Sequence, residues 1–250
     1  MVKDVSFSVA PGEFYALLGP NGAGKTTTLH MLTTLVVPSF GSASVMGFDV
    51  VKQEQEVRRS LGMVFQDPAL DDRLTARENL QIHAVLYGVR RADRKAAIER
   101  ALEWSQLAAH GDRRVRSFSG GMKRRLELAR ALMHAPKVLF LDEPTIGLDP
   151  QGRRNLWERI DALRQQGMTV LMTTHNLPEA EACDRVGIMD DGTLVAEGTP
   201  GGLIEEHGGK DGADLEDVFI ALTGKQLRDE VATARDRMVS FAKQGGEHTR

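Results

Sequence analysis

The pattern of apolar and polar positions along the chain predicts an α/β fold. Short apolar or alternating runs indicate strands at 2–9, 13–18, 42–47, 61–65, 138–141, 169–173, 186–190 and 193–197. Apolar residues spaced three and four positions apart indicate helices at 27–35, 120–134, 152–166 and 178–183. Asp191-Gly192 separates the last two strands, which predicts a tight β-hairpin at that point.

A long helical stretch interrupts this alternation between Thr75 and His110. It predicts a helical subdomain at about 74–125, inserted in an α/β core that extends over 1–224. The tail 225–250 differs, because a single apolar stripe runs through charged residues. The stripe consists of Leu227, Val231, Ala234, Met238 and Phe241. We therefore expect a C-terminal amphipathic helical extension that ends in a polar tail.

The composition argues against several classes of protein. The 250 residues carry a formal net charge of -3 and the pI is near 6.2, so no basic surface for nucleic acid is indicated. The single cysteine, Cys183, gives no disulfide framework and fits a reducing compartment. No apolar run approaches the roughly 18 residues that span a bilayer. We expect a soluble or peripheral protein whose membrane partner, if it has one, is a separate chain.

A glycine-rich run between the strand at 13–18 and the helix at 27–35 has the form of a P-loop. It consists of Gly19, Pro20, Asn21, Gly22, Ala23, Gly24, Lys25 and Thr26. Backbone N–H groups of such a loop cradle phosphate oxygens, the lysine reaches the β- and γ-phosphates, and the Thr26 hydroxyl can ligate Mg²⁺. The helix that follows points the positive end of its dipole at the phosphates. This context favours a nucleoside triphosphate site over a flexible glycine turn.

Two adjacent acids, Asp142 and Glu143, follow the apolar run at 138–141. At the carboxyl end of a buried strand, Asp142 can hold Mg²⁺ through water, and Glu143 can activate an attacking water as a general base. The alternative is a core strand capped by two solvated acids. The P-loop upstream favours the catalytic interpretation.

Another anion site is predicted where Ser119, Gly120 and Gly121 open the helix at 120–134. A serine hydroxyl and bare backbone N–H groups at a helix N-terminus bind anions. A simple N-cap by Ser119 is the alternative, and only the order of the motifs along the chain separates the two interpretations.

That order resembles the nucleotide-binding subunit of an ATP-binding cassette (ABC) transporter, over about residues 2–224. A P-loop, a glutamine after a strand, a Ser-Gly-Gly helix start and an apolar strand ending in Asp-Glu-Pro follow one another as in that family. The resemblance implies a P-loop NTPase of the ABC ATPase type, with a mixed sheet core, an inserted helical subdomain and a small antiparallel β part. It also implies an ATPase that couples hydrolysis to transmembrane transport, with ATP and Mg²⁺ as ligands.

The resemblance assigns the residues that bind ATP. Gly19 to Thr27 match the Walker A loop, and Asp149 belongs to the D-loop Gly147-Leu148-Asp149. The signature loop is matched by Ser119, Gly120, Gly121 and Met122. Met122 stands where glutamine is commoner in the family, a change that some exporter-type members share.

The resemblance also assigns residues of hydrolysis and metal binding. Glu143 matches the catalytic base, and His175 matches the switch histidine that contacts the γ-phosphate. Gln66 matches the Q-loop glutamine, which senses Mg²⁺ and touches the region that meets the membrane partner. Thr26, Gln66 and Asp142 are the implied metal ligands.

Partners are likewise implied by the resemblance. Each ATP would lie between the Walker A loop of one subunit and the signature loop of another, in a head-to-tail homodimer or a heterodimer of ABC ATPases. An integral-membrane permease on a separate chain would change conformation when this dimer closes. The chain would then be peripheral, at the cytoplasmic face of the cell membrane, with no nucleic-acid partner.

Within the family, the chain is similar to ATP-binding proteins of the daunorubicin-resistance, drug-exporter type. Three stretches support this: 74–80, 145–150 and 215–224. Exporters of lipid or polysaccharide share similar stretches, so they stay an alternative, as does an importer that answers to a solute-binding protein. A soluble ABC ATPase acting on DNA or ribosomes is disfavoured, because the chain has one cassette, no long heptad insert and no basic stripe.

ABC ATPases usually stack adenine on an aromatic residue upstream of the first strand. In this sequence Phe7, Phe14 and Tyr15 lie close by, and we expect all three to be packed rather than available to the base. The phosphates would then carry most of the affinity for ATP.

Overall fold

A computed structural model of the chain describes residues 1–209, 212–224 and 227. Its strands are β1 (Phe14–Leu18), β2 (Ser44–Val45), β3 (Phe48–Asp49), β4 (Leu61–Val64), β5 (Val138–Asp142), β6 (Thr169–Thr174), β7 (Arg185–Asp190) and β8 (Thr193–Gly198). Six of them form one sheet in the order β4-β5-β6-β1-β7-β8, and β2 and β3 pair separately as a small antiparallel hairpin. Neighbours from β4 to β7 are parallel, and β8 is antiparallel to β7. The predicted mixed sheet is confirmed.

Helices connect and cover these strands. They are α1 (Lys25–Leu32), α2 (Glu54–Ser60), α3 (Ala76–Leu86), α4 (Arg94–Trp104), α5 (Gly120–Leu132), α6 (Pro150–Gln165), α7 (Leu177–Glu181), α8 (Pro200–His207) and α9 (Leu215–Thr223). Among the residues that the structure describes, no helix is both long enough and apolar enough to cross a membrane.

The two faces of the sheet bury separate apolar cores, as alternation along β1 illustrates. Phe14, Ala16 and Leu18 belong to one core, whereas Tyr15 and Leu17 belong to the other, because successive side chains of a strand point to opposite faces. All five residues are fully buried. The parallel strands of the centre are therefore fixed from both sides, and their carboxyl ends meet at one edge.

Helices α3, α4 and α5 fill the chain between β4 and β5 and share a third apolar core. Helix α3 begins with a capping box. The Thr75 hydroxyl accepts the Glu78 N–H, and the Glu78 carboxylate accepts the Thr75 N–H. The subdomain boundaries at about 74–125, and the division at 224, stay predictions.

The predicted strand at 2–9 is wrong, because residues 1–13 form no ladder. Val5, Phe7 and Val9 alternate because they pack against the core of Tyr15 and Leu17. The Phe7 ring stacks on Tyr15 with centroids 5.2 Å apart. Of the predicted C-terminal stripe, only Leu227 lies within the described residues, where it packs against the core of Phe14.

Candidate functional site

The P-loop connects β1 to α1, as predicted, and its shape depends on glycine at two positions. A Cβ on Gly19 would lie 2.3 Å from the carbonyl oxygen of Met189. Gly24, which caps α1, has a φ of 104°, in the region that L side chains rarely adopt. The loop is also tied to the sheet, because the Gly19 N–H donates to the Thr174 carbonyl at 3.2 Å.

Lys25 is the buried cation of this loop, with 5% of its surface exposed. Its Nζ donates to the carbonyls of Gly19 at 2.7 Å and Pro20 at 3.2 Å, and lies 3.3 Å from Glu143 Oε1. Burial lowers the pKa of Lys25, and the Glu143 carboxylate opposes that shift. The ammonium thus lies between Glu143 and the first two residues of the loop that is predicted to bind phosphates.

Asp142 ends β5 and is almost fully buried. Its Oδ1 accepts hydrogen bonds from Thr26 Oγ1 at 3.0 Å and from Thr173 Oγ1 at 2.5 Å. The Thr173 contact follows from the sheet, because Asp142 and Thr173 are partners in the β5–β6 register. A threonine hydroxyl and an adjacent carboxylate are hard oxygen ligands of the kind that Mg²⁺ accepts beside phosphate oxygens, so this pair fits the ion.

Glu143 occupies the centre of the site. Its φ is +44°, unusual for a side chain with a Cβ, and its backbone N–H donates to both the carbonyl and the hydroxyl of Thr173. Its Oε2 lies 2.9 Å from His175 Nδ1, whereas Lys25 contacts the other carboxylate oxygen, Oε1. Burial acts to raise the pKa of Glu143, but the hydrogen bond to His175 and the charge of Lys25 outweigh it, so the pKa is lowered.

Five predicted residues therefore lie in one group: Lys25, Thr26, Asp142, Glu143 and His175. We call them the catalytic cluster. Lys25 and Thr26 lie at the start of α1, Asp142 and Glu143 at the end of β5, and His175 directly after β6. Lys25 and His175 contact Glu143, and Thr26 contacts Asp142. A buried carboxylate in contact with an ammonium and an imidazole suits the activation of water beside a phosphate.

The signature loop, Ser119 to Met122, lies elsewhere. Ser119 is exposed and caps α5, accepting the Met122 N–H at 3.3 Å. The signature loop passes close to the D-loop, since a Cβ on Gly120 would lie 3.7 Å from the Gly147 carbonyl oxygen. No hydrogen bond or ion pair between described residues joins the signature loop to the catalytic cluster.

Two other predicted residues are also separate from the cluster. Asp149 is exposed and caps α6 by accepting the Gly152 N–H at 2.7 Å. Gln66 is exposed, two residues beyond β4, the strand next to β5. The described contacts include none between its side chain and the cluster. The nucleotide roles of Asp149, Gln66 and the signature loop stay predictions.

Several buried residues around the cluster were missed by the sequence interpretation. Thr173 contacts both acids, and Glu179 accepts from the hydroxyls of Thr145 and Thr174. The Thr174 hydroxyl also accepts the Asn176 N–H at 2.9 Å, which fixes the segment that carries His175. Phe14 and Tyr15 are fully buried and Phe7 stacks on Tyr15, so the expectation that these rings are packed is confirmed.

Comparison with known proteins gives consistent matches. The family model described as ABC transporter matches residues 2–146. A protein of Burkholderia lata named Nod factor export ATP-binding protein I is 44% identical over 244 residues, which is 97% of this chain and 77% of that protein.

Solved structures agree. The ATP binding subunit of an ABC transporter superposes with a TM-score of 0.79 at 32% identity, over 89% of this chain and 92% of that one. An ATP-binding cassette solved as a dimer bound to ADP and Pi gives a TM-score of 0.72 at 26% identity, over 79% and 90% of the two chains. The similarity to these structures thus covers at least 79% of the chain.

Proposed function

Because this chain belongs to the ABC transporter family, as an ATP-binding subunit that hydrolyses ATP, we propose that it powers export through a separate membrane permease. One observation carries the proposal: the Glu143 carboxylate is buried between Lys25 of the P-loop and His175. That arrangement suits a base that acts next to a terminal phosphate.

In the proposed reaction, Glu143 accepts a proton from the water that attacks the γ-phosphate. The lowered pKa keeps its carboxylate ionised at neutral pH, which is the form that can accept the proton. His175 orients the carboxylate through Nδ1, and Lys25 neutralises charge on the β- and γ-phosphates. The backbone of the P-loop binds the remaining phosphate oxygens.

Thr26 and Asp142 would hold Mg²⁺, with Gln66 as the third proposed ligand. The support is the meeting of the Thr26 hydroxyl and the Asp142 carboxylate at 3.0 Å at the start of α1. When bound, the ion neutralises negative charge on the phosphates. Thr173 keeps Asp142 oriented by donating to the same oxygen.

The signature loop is proposed to complete the site of a second subunit. Its exposed serine and its separation from the catalytic cluster support a role in trans, since one chain then carries two incomplete half-sites. ATP would favour the closed dimer because its γ-phosphate gains contacts from Ser119 only in that state. The partner copy is either identical to this chain or another ABC ATPase.

The chain is proposed to lie at the cytoplasmic face of the cell membrane, bound to its permease. The cargo class that we propose is drugs or other hydrophobic compounds. A second candidate is a cargo like that of the relatives, because the 44% identical protein is named for Nod factor export. Both candidates make the chain an exporter subunit.

Purification of the tagged chain from membranes tests this function. We expect a polytopic permease to co-purify, and the complex in liposomes to raise its ATPase rate when daunorubicin is added. Stimulation by a Nod factor instead would select the second candidate. Dependence on a loaded solute-binding protein would show an importer, and purification without any membrane protein would contradict the proposed role in transport.

A further inference from the structure

Helix α5 carries a buried arginine, Arg124, five residues after Ser119 at the start of the signature loop. Only 6% of its surface is exposed. All five N–H donors of the guanidinium have acceptors. Nε donates to Pro144 O at 2.7 Å, Nη2 donates to Asp142 O and Glu143 O at 3.2 Å each, and Nη1 donates to Phe65 O and to Glu127 Oε2.

Three of these acceptors are consecutive carbonyls around the proposed base, at 142–144. This is the segment where the backbone of Glu143 takes a positive φ of 44°, a conformation that the surrounding structure must impose. A planar guanidinium with a fixed fork of donors holds several carbonyls in one geometry. Arg124 therefore fixes the direction in which the Glu143 side chain leaves the backbone.

Side chains on the same face of α5 form hydrogen bonds with the backbone on both sides of Gln66. The Phe65 carbonyl, just before Gln66, accepts from Arg124. Three residues further along the helix, Glu127 Oε1 accepts the Ala69 N–H at 2.7 Å. Arg130 then donates to the Ala69 carbonyl at 2.5 Å. The spacing 124, 127, 130 keeps these side chains on one side of the helix.

The buried guanidinium of Arg124 is stabilised by an ion pair with Glu127. Burial lowers the pKa of Arg124, and the carboxylate of Glu127, 3.2 Å away and fully buried, opposes the shift. A buried ion pair in which one partner is removed leaves an uncompensated charge. Arg124 and Glu127 thus connect α5 by hydrogen bonds to the end of β5 and to the segment that carries Gln66.

We infer that Arg124 is a positioning residue for hydrolysis, which holds the backbone of Glu143 against the helix that begins at the signature loop. The inference rests on the proposed role of Glu143 as the base. All contacts of the Arg124 guanidinium are with protein groups outside the P-loop. Its replacement is therefore expected to lower the rate of hydrolysis and to leave ATP binding to the P-loop intact.

The test uses Arg124→Lys and Arg124→Gln, with Arg125→Lys and Arg125→Gln as matched controls. Arg125 is the next residue of the helix, and its guanidinium donates to Gln106 Oε1 at 3.2 Å. Lysine keeps the charge but has no planar fork that reaches all of these carbonyls. We expect kcat of both Arg124 variants to fall about 10- to 100-fold, because small misplacement of a catalytic group has that effect. KM for ATP should stay within about twofold in all variants, as should kcat of the controls.

A double variant separates positioning from mere stability. If Arg124 acts through Glu143, adding Arg124→Lys to Glu143→Gln lowers the residual single-turnover rate by less than about threefold, because the group being positioned has already lost its function. A full additional loss in that background would overturn the inference. Unchanged kcat in folded Arg124→Lys would also overturn it.

The remaining outcomes are equally decisive. If thermal melting shows that both Arg124 variants are unfolded while both Arg125 variants fold, Arg124 has a structural role only and the inference fails. A Glu143→Gln protein with normal turnover contradicts the proposed function itself. Normal turnover in Arg124→Lys, with Glu143→Gln inactive, contradicts only the inference.

Discussion

The catalytic cluster and the signature loop differ in how far the fold of a single chain assembles them. In the cluster, Lys25, Asp142 and Glu143 are each at most 5% exposed and are bonded to other members. In the signature loop, Ser119 is exposed and makes one capping hydrogen bond. Buried charges need fixed partners, whereas an exposed cap does not. The catalytic cluster is thus a half-site formed within one chain. The signature loop is a half-site that we expect to be completed only by a second copy.

The largest effect is expected from Glu143→Gln, which keeps the shape of the side chain but removes its ability to accept a proton. Turnover should fall about 100- to 10,000-fold, with unchanged affinity for ATP. Radiometric hydrolysis and nucleotide titration measure the two quantities. Glu181→Gln, at an exposed glutamate of α7, is the control. Turnover within about threefold of the unchanged protein would remove Glu143 from the mechanism.

Lys25→Ala tests whether ATP affinity depends on the P-loop and not on the signature loop of the same chain. Without the ammonium, the phosphates lose charge-assisted hydrogen bonds, and the affinity of the monomer for ATP should fall on the order of 100-fold. Calorimetric titration checks this, with the exposed Lys137→Ala as the control. Ser119→Arg should leave the same affinity nearly normal. Equal losses of affinity in Lys25→Ala and Ser119→Arg would break the distinction between the two regions.

Thr173→Val probes the support of the cluster. Valine matches threonine in shape but cannot donate to Asp142 Oδ1 or accept the Glu143 N–H. Without these hydrogen bonds Asp142 and the adjacent Glu143 lose part of their orientation, so kcat should fall about tenfold or more. Thr169→Val, on the same strand, removes a hydroxyl that accepts the Gly12 N–H and should leave kcat unchanged. Identical kcat values for the two variants would show that Thr173 has no special role.

The smallest effect is expected where the signature loop contributes to folding. Ser119→Ala and Asp149→Ala each remove a helix N-cap, which should lower the free energy of unfolding by about 1 kcal/mol. Urea denaturation measures this change. A loss above about 3 kcal/mol in Ser119→Ala would mean that the loop is part of the preformed core, contrary to the comparison.

The sequence predicts those parts of the site whose chemistry is local. The P-loop is contiguous, and Asp142 and Glu143 directly follow an apolar run, so periodicity and motif order locate both. The contact of Thr173 with Asp142 was not predictable, because it depends on the pairing of β5 with β6. The same holds for Arg124, whose acceptors lie 18 to 20 residues away at Asp142, Glu143 and Pro144 and in the distant Phe65.

The failed strand at 2–9 has a related physical cause. Alternation of Val5, Phe7 and Val9 records that one side of the segment is packed against the core. It does not record whether a neighbouring strand offers hydrogen bonds, and residues 1–13 have no such ladder. Patterning therefore reports burial more directly than it reports pairing.

The most direct test of the central claim measures the mass of Glu143→Gln with ATP and Mg²⁺ by size exclusion with light scattering. We predict a dimer of twice the 27.5 kDa chain, held by two ATP-bound sites. Adding Ser119→Arg to the same chain should return the mass to that of a monomer while ATP still binds. A dimer that forms equally well in the double variant would contradict the claim that the signature loop completes the partner's site.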